Sequence, residues 1–258
     1  MLSYQHAYHA GNLADVHKHA ALAVALDYLV QKDKPLSYVE THAGRGLYDL
    51  GDPFALKTGE AAAGIGRVAG RFAADHPYAR ALARTRALHG AGAYPGSPLI
   101  AAHLLRPQDR MHLAELHPQE YAGLRALLGT RATIQQRDGA KMALALAPPE
   151  PRRGLCLIDP SYELKDDHAA MATLVTRLGR KWGVGVVMLW YPILDGAPHA
   201  PMTAAIGAAI PQALRHEVRF APVRPGHRMC GSGLMIVNPP YALTPALDHL
   251  TRVFQELT

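Results

Sequence analysis

Cysteine is nearly absent: two residues, Cys156 and Cys230, in 258. That number excludes a disulfide framework, and their wide separation lacks the paired spacing of a zinc site. Long apolar runs are missing too. No stretch approaches the roughly 18 consecutive apolar residues of a membrane span, and the N-terminus carries histidines and acids where a secretion signal would be basic and then apolar. A cytosolic chain is expected. No Gly-x-x-x-x-Gly-Lys-Ser/Thr phosphate loop occurs, which disfavours a P-loop nucleotidase. The full Gly-x-Gly-x-x-Gly turn of a dinucleotide site is absent as well.

Half the residues are hydrophobic (49%), enough for a large core. Charge is asymmetric: 27 Lys and Arg against 21 Asp and Glu, a net +6. Most of the basic residues are arginine, whose planar fork suits phosphate and base stacking. Much of the excess falls in one segment, where Lys57, Arg67, Arg71, Arg80, Arg84 and Arg86 face only Glu60 and Asp75. A polyanionic partner fits this balance.

Short apolar runs alternate with longer helical stretches, the pattern of a mainly parallel α/β sheet. Strands are predicted at Leu36–Glu40, Met111–Glu115, Thr133–Gln136, Gly154–Ile158, Gly185–Leu189, His216–Pro222 and Gly233–Asn238. A first helix should follow Asn12, an apt N-cap, and run to Val30. Others are expected at Asp167–Trp182 and from Thr244-Pro245 to Leu257. The first two strands are too far apart for a βαβ unit of about 30 residues. The helix at Ser97-Pro98 to Leu105 reads as the one that belongs after strand one, leaving residues 48–94 as an insert of two helices, Gly59–Phe72 and His76–His89. Arg67 with Arg71, and Arg80 with Arg84, would each share a helix face, either solvated or facing RNA.

Four strand ends in order carry polar groups. Glu40-Thr-His42-Ala-Gly44-Arg-Gly46 ends the first, where Gly44 lets backbone pass close to a ligand. Glu115 ends the second, placed to grip ribose hydroxyls; Asp138-Gly139 follows the third, placed to read an adenine edge; Asp159-Pro160-Ser161-Tyr162 follows the fourth. Together they form the ligand crevice of a doubly wound sheet. With no pyrophosphate motif, a nucleoside-type ligand remains, and S-adenosylmethionine is the common one.

Glu40-x-His-x-Gly-x-Gly resembles methyltransferase motif I, and Asp159-Pro-Ser-Tyr162 resembles the Asp/Asn-Pro-Pro-Tyr motif of adenine amino-methyltransferases. The opening Met1-Leu-Ser-Tyr-Gln-His-Ala-Tyr-His-Ala-Gly-Asn12 with Asp15-Val-His-Lys-His19 is more specific. So are Thr41-His-Ala-Gly44, Tyr94-Pro-Gly-Ser-Pro-Leu-Ile100, Glu115-Leu-His-Pro118, Leu189-Trp-Tyr-Pro192 and Asn238-Pro-Pro240. In this order, over essentially the whole chain, they are similar to the bacterial 23S ribosomal RNA adenine-N6 methyltransferases, the RlmJ family.

The resemblance implies a Rossmann-like class I S-adenosylmethionine-dependent methyltransferase, a seven-stranded sheet in a single domain, acting on N6 of one adenine in 23S RNA. It implies that S-adenosylmethionine is held by His19, His42, Ser97, Glu115, Asp138 with Gly139, and Asp159, to which the Gly44 turn is added. Tyr4 would contact the RNA, with His6, Lys18 and Tyr162 grouped on the substrate side. The adenine amine is a poor nucleophile, so its hydrogens must be accepted: Asp159 and the Pro160 carbonyl are the acceptors, and Tyr162 offers a stacking face. This chemistry requires no metal, and the N-terminal histidines lack zinc spacing. A monomer is expected. The family's second proline is replaced by Ser161, and Glu40 stands where Asp is usual. Asn238-Pro-Pro-Tyr241 matches the amino-methyltransferase motif better in letters, but follows the seventh strand, outside the crevice. Two rivals stay open: the same chemistry on DNA or another RNA, and a nucleic-acid-binding protein without catalysis.

Overall fold

A strand whose two faces are both covered is largely apolar, and the run Gly154–Ile158 is apolar throughout. The computed structural model describes residues 6–164, 166–223, 226 and 228–257. In chain order the strands are β1 (Ser37–Glu40), β2 (Leu47–Asp49), β3 (Ala93–Pro95), β4 (Arg110–Ala114), β5 (Thr133–Gln135), β6 (Gly154–Ile158), β7 (Val186–Leu194), β8 (Leu214–Arg219) and β9 (Met229–Val237). The helices are α1 (Leu13–Val30), α2 (Pro53–Thr58), α3 (Glu60–Ala63), α4 (Ile65–Val68), α5 (Pro77–His89), α6 (Ser97–Leu104), α7 (Pro118–Leu128), α8 (Gly139–Leu146), α9 (Asp167–Lys181), α10 (Ala200–Ala209) and α11 (Leu243–Gln255).

Seven strands make one sheet in the order β5-β4-β1-β6-β7-β9-β8, and β2 pairs with β3 separately. The first five run parallel; β9 lies antiparallel to β7 and to β8. The order reverses between β1 and β6, with β4 and β5 beyond β1 and β7 beyond β6, which opens the crevice at their carboxyl ends. Alternation divides the core. On β6, Leu155 and Leu157 join the layer under α1, α6 and α11, while Cys156 and Ile158 join the layer under α8, α9 and α10. Both cysteines are free thiols.

Helix α1 is buried almost all round, as its near-continuous apolar sequence requires. Asn12 caps it, its side chain accepting from the Asp15 amide at 2.8 Å. Helix α11 carries a one-sided stripe, Leu243, Leu247, Leu250, Val253 and Phe254, all buried. No described helix is long and apolar enough to cross a membrane.

Two expectations need correction. The helix expected at Gly59–Phe72 is broken into α3, α4 and a 3-10 turn at Ala69–Arg71. The break is at Gly64, whose Cα presses on the backbone of α1's entry: a Cβ there would stand 2.1 Å from the Gly11 carbonyl oxygen. The strand expected to end at Leu189 continues to Leu194. Pro192 suggests a stop, but β6 ends opposite Leu189, so β7 beyond that point has an open edge where a proline is tolerated, while β9 pairs along its other side.

Candidate active site

The turn after β1 is built by a glycine in the left-handed region, Gly44 (φ 62°). Its amide donates to Glu115 Oε2 at 2.8 Å, and the His117 amide donates to Glu115 Oε1 at 2.7 Å. Each carboxylate oxygen therefore keeps a lone pair for an outside donor, and the carboxylate is aimed before any ligand arrives. Burial raises the Glu115 pKa, against the pull of these amides. Asp138 caps α8, accepting from the Lys141 amide at 3.0 Å. Gly139 brings that cap onto the β1 turn: a Cβ there would stand 1.8 Å from the Thr41 carbonyl oxygen. His42 lies in the same turn, its Nδ1 2.8 Å from Thr41 Oγ1, and burial lowers its pKa. Arg45 holds the turn from outside through Glu120, at 2.5 Å.

Asp159 stands at the tip of β6, beside β1. Its Oδ2 accepts from Lys18 Nζ at 2.6 Å, and Lys18 also reaches Asp15 Oδ1 at 2.9 Å. Asp15 Oδ2 in turn lies 3.0 Å from His6 Nε2 and accepts from the Gly11 amide at 2.9 Å. Burial works against both charges. It pushes Lys18 down, but the two carboxylates outweigh it and hold the ammonium above its ordinary range. Burial pushes Asp15 up, and the His6 and Lys18 charges outweigh that, leaving it well below the usual carboxylate range. The result is an ionised lysine with its charge against Asp159. Lys18 Nζ also lies 5.5 Å from the centre of the Trp190 ring, close enough for a cation–π contact.

Tyr162 adopts φ 53°, rare for a residue with a side chain, and its hydroxyl donates to the Trp190 carbonyl at 2.8 Å. Its ring sits 6.1 Å from that of Trp190 and 4.6 Å from His168. Burial, and then the Asp159 charge, raise its pKa well above normal, so it is a neutral aromatic wall. Trp190 is fixed in turn: its Nε1 donates to Ser232 Oγ at 2.9 Å, and Ser232 Oγ lies 2.8 Å from His17 Nδ1.

Two predicted ligand residues have polar atoms engaged within the protein. Ser97 is the first residue of α6, not its cap, and its hydroxyl donates to Glu40 Oε1 at 2.5 Å. His19 Nδ1 lies 2.9 Å from the Tyr94 hydroxyl, and burial, reinforced by the Lys18 and His6 charges, lowers its pKa to about 3. His19 is therefore neutral at physiological pH. Tyr4 lies outside the described residues. Asp15 and Ser232 are not among the site residues read from the sequence, whereas Trp190, with Tyr191 and Pro192 at the end of a predicted strand, reads as a residue that could edge the base pocket. The spacing of Asp15 from Lys18, three residues along one helix, was a visible signal for the first; nothing local points to Ser232.

Glu40 is fully buried, accepting from Tyr38 at 2.8 Å as well as from Ser97. Burial pushes its pKa up to about 8, with the Asp159 charge adding to the shift. A carboxyl whose folded pKa is raised binds its proton more tightly than the unfolded chain does, so stability falls as pH rises from the unfolded value through about 8. Glu40→Gln should flatten that decline. Urea midpoints between pH 5.5 and about 8.5 check it, and parallel curves for the two proteins would refute it.

Asn238 is at the other end of the sheet. It pairs into no crevice: its Nδ2 donates to the Gly183 and Gly185 carbonyls at 3.0 and 2.9 Å, beside the start of β7. The insert arginines make contacts to the body of the protein. Arg67 and Arg71 fall in α4 and the 3-10 turn, not on one helix; Arg67 donates to the Leu257 carbonyl and Arg71 pairs with Glu256. Arg80 and Arg84 do share α5, where Arg80 pairs with Asp27 and Arg84 donates to the His103 carbonyl. These contacts clip the insert to α1, α6 and α11.

The comparisons with known proteins agree with this architecture. The family described as "Ribosomal RNA large subunit methyltransferase D, RlmJ" matches residues 33–257. Ribosomal RNA large subunit methyltransferase J of Escherichia coli K12 is 37% identical over 97% of this chain and 91% of its own. That of Haemophilus influenzae is 38% identical over 97% and 92%. A Legionella pneumophila protein of solved structure superposes with a TM-score of 0.87 at 34% identity, over 96% and 94% of the two chains. A probable spermidine synthase from Corynebacterium glutamicum shares the fold alone, with a TM-score of 0.51 at 12% identity. The sheet and its order are those of the class I S-adenosylmethionine-dependent methyltransferases. With the family matching most of its length and two relatives above the mid-thirties in identity, this chain belongs to the RlmJ family of ribosomal RNA large subunit methyltransferases.

Proposed function

We propose that this enzyme transfers a methyl group from S-adenosylmethionine to N6 of an adenine in 23S ribosomal RNA, in the cytoplasm, as a monomer, without a metal. Residues 1–258 are read as one methyltransferase domain with 48–94 inserted. The observation that carries the reading is the Asp159 carboxylate, paired with Lys18 at the tip of β6 and walled by Tyr162 and Trp190.

The residues present suit the cofactor. Glu115 offers two oriented acceptors to ribose hydroxyls, and Gly44, His42 and the Asp138-Gly139 cap converge around the turn that would face the nucleoside. Ser97, on the first turn of α6, and His19 would hold the methionine end of the cofactor. When bound, S-adenosylmethionine supplies an electrophilic methyl carbon.

The chain's own part is placement. An adenine must leave its stack to reach Asp159, and Tyr162 with Trp190 gives the extruded base an aromatic wall. Lys18 occupies Oδ2 of Asp159, which leaves Oδ1 to accept one hydrogen of the amine, while the Pro160 carbonyl accepts the other. Both acceptors turn the nitrogen lone pair toward the methyl carbon. After transfer the nitrogen carries an extra proton, which passes to Asp159 or through it to water. His6, Lys18 and Tyr4 are assigned to the substrate side by the family resemblance alone. Ser161 adds a hydroxyl without removing either acceptor.

The test is transfer of labelled methyl groups to protein-free 23S RNA, to 23S RNA in intact subunits and to duplex DNA, with the modified nucleoside identified by mass. N6-methyladenosine in RNA alone is expected. Methylated DNA, or cofactor binding with no transfer anywhere, would contradict the reading. Glu115→Ala should weaken cofactor affinity by about tenfold or more, as two charge-assisted hydrogen bonds are lost; calorimetry showing unchanged affinity would remove Glu115 from the site.

A further inference from the structure

The loop that leaves the acceptor motif carries an apolar side chain in an unusual place. Leu164 is 71% exposed, two residues beyond Tyr162 and five beyond Asp159. Single exposed leucines are common on protein surfaces and need no purpose. Leu164 differs in how it is held. The left-handed backbone of Tyr162 turns that ring inward against Trp190 and sends the following residues outward. The loop tip is then clasped to the start of α9: the Leu164 amide donates to Asp167 Oδ2 at 2.9 Å, and the Asp167 amide donates to the Leu164 carbonyl at 3.1 Å. A bulky apolar group is thus fixed in water by a reciprocal pair of hydrogen bonds, on the segment that holds the acceptors for the amine.

We propose that Leu164 is a wedge that enters the RNA base stack at the gap an extruded adenine leaves. The proposal rests on the reading of function above and deepens it. A flipped base loses its stacking and pairing, at a cost of a few kcal/mol, and a hole in the stack would invite its return. Proteins that open base steps do so with inserted apolar side chains such as leucine. Leu164 has that chemistry and stands next to where the extruded base must sit. Burying it in the stack also removes its apolar surface from water.

The experiment uses the full-length protein and two forms of the 23S RNA segment that the wild type methylates. One keeps the acceptor adenine paired in a stem; the other leaves it unpaired in a single strand. For Leu164→Ala, transfer to the paired adenine should fall by about tenfold or more, while transfer to the unpaired adenine stays within about threefold, since that base needs no opening. Leu164→Met should restore most of the loss. With 2-aminopurine beside the acceptor, the rise in fluorescence on binding should shrink for Leu164→Ala only in the paired RNA. An equal fall on both RNAs, or none on either, overturns the wedge while leaving the methyltransferase reading intact. Failure of the wild type to methylate any RNA overturns both, and is seen without a variant.

Discussion

Methyl transfer by an Asp159→Ala protein is expected to fall by about three orders of magnitude while its fold persists, the loss associated with removing a positioned proton acceptor. The fold should survive because Lys18 would keep its second partner, Asp15, at 2.9 Å. The buried ammonium is then still paired, and no charge is stranded. Asp159→Asn is the sharper probe. It retains a carbonyl oxygen that can accept one amine hydrogen, but it removes the charge that Lys18 holds and the site to which a proton can pass. Its rate should lie between those of the wild type and the alanine variant. Single-turnover transfer, with melting curves as the control on folding, measures all three. Wild-type rates in a folded Asp159→Ala protein would remove this carboxylate from the mechanism.

Lys18→Met is expected to do what Asp159→Ala does not, and destabilise the protein as well as silence it. Its stem could still pack near Trp190, but Asp15, 2% exposed, would lose its lysine and Asp159 its only charged neighbour at ion-pair distance among the described residues. Removing one partner of a buried pair leaves an uncompensated charge, at about 3 kcal/mol or more. The pH dependence follows from sign. In the wild type Asp15 has a folded pKa below its unfolded one, so its contribution is present above the unfolded value near 4 and is lost as pH falls through the folded value. In the variant one of the charges that offset burial is gone, so the Asp15 pKa moves up and protonating it costs less than in the wild type. The stability gap between variant and wild type should therefore be wide near pH 7 and narrow toward about pH 4.5. Urea midpoints across that range would show it, and a constant gap would mean that Lys18 acts through packing alone.

The seven-stranded sheet, its flanking helices and the Asp159 motif could be read from residue order, because each has a local cause. A run such as Gly154–Ile158 is apolar on both faces and can only be a covered central strand. The Asn12 cap announces α1, and polar residues at successive strand ends announce a crevice. Even the rival Asn238 motif could be set aside from strand order before its side chain was seen bonding to Gly183 and Gly185. Residue order also carried the family's signature, from the N-terminal histidines to Asn238-Pro-Pro240.

Tertiary structure decided the rest, wherever the determining partner is distant in the chain. Gly64 breaks a helix that local propensity favours, because the Gly11 carbonyl lies where a side chain would be. Arg67, Arg71, Arg80 and Arg84 read as a basic face, solvated or facing RNA, and only the fold shows that each also reaches an acceptor outside the insert. Trp190 is held by Ser232, itself bonded to His17, 215 positions away. Lys18 and Asp15 announce a helical pair by their spacing, but only the return of β6 beside β1 brings Asp159 to the same ammonium. Burial then turns an ordinary surface pair into a fixed charge at the reacting centre, since charges removed from water interact far more strongly and must be answered by neighbours that no local pattern names.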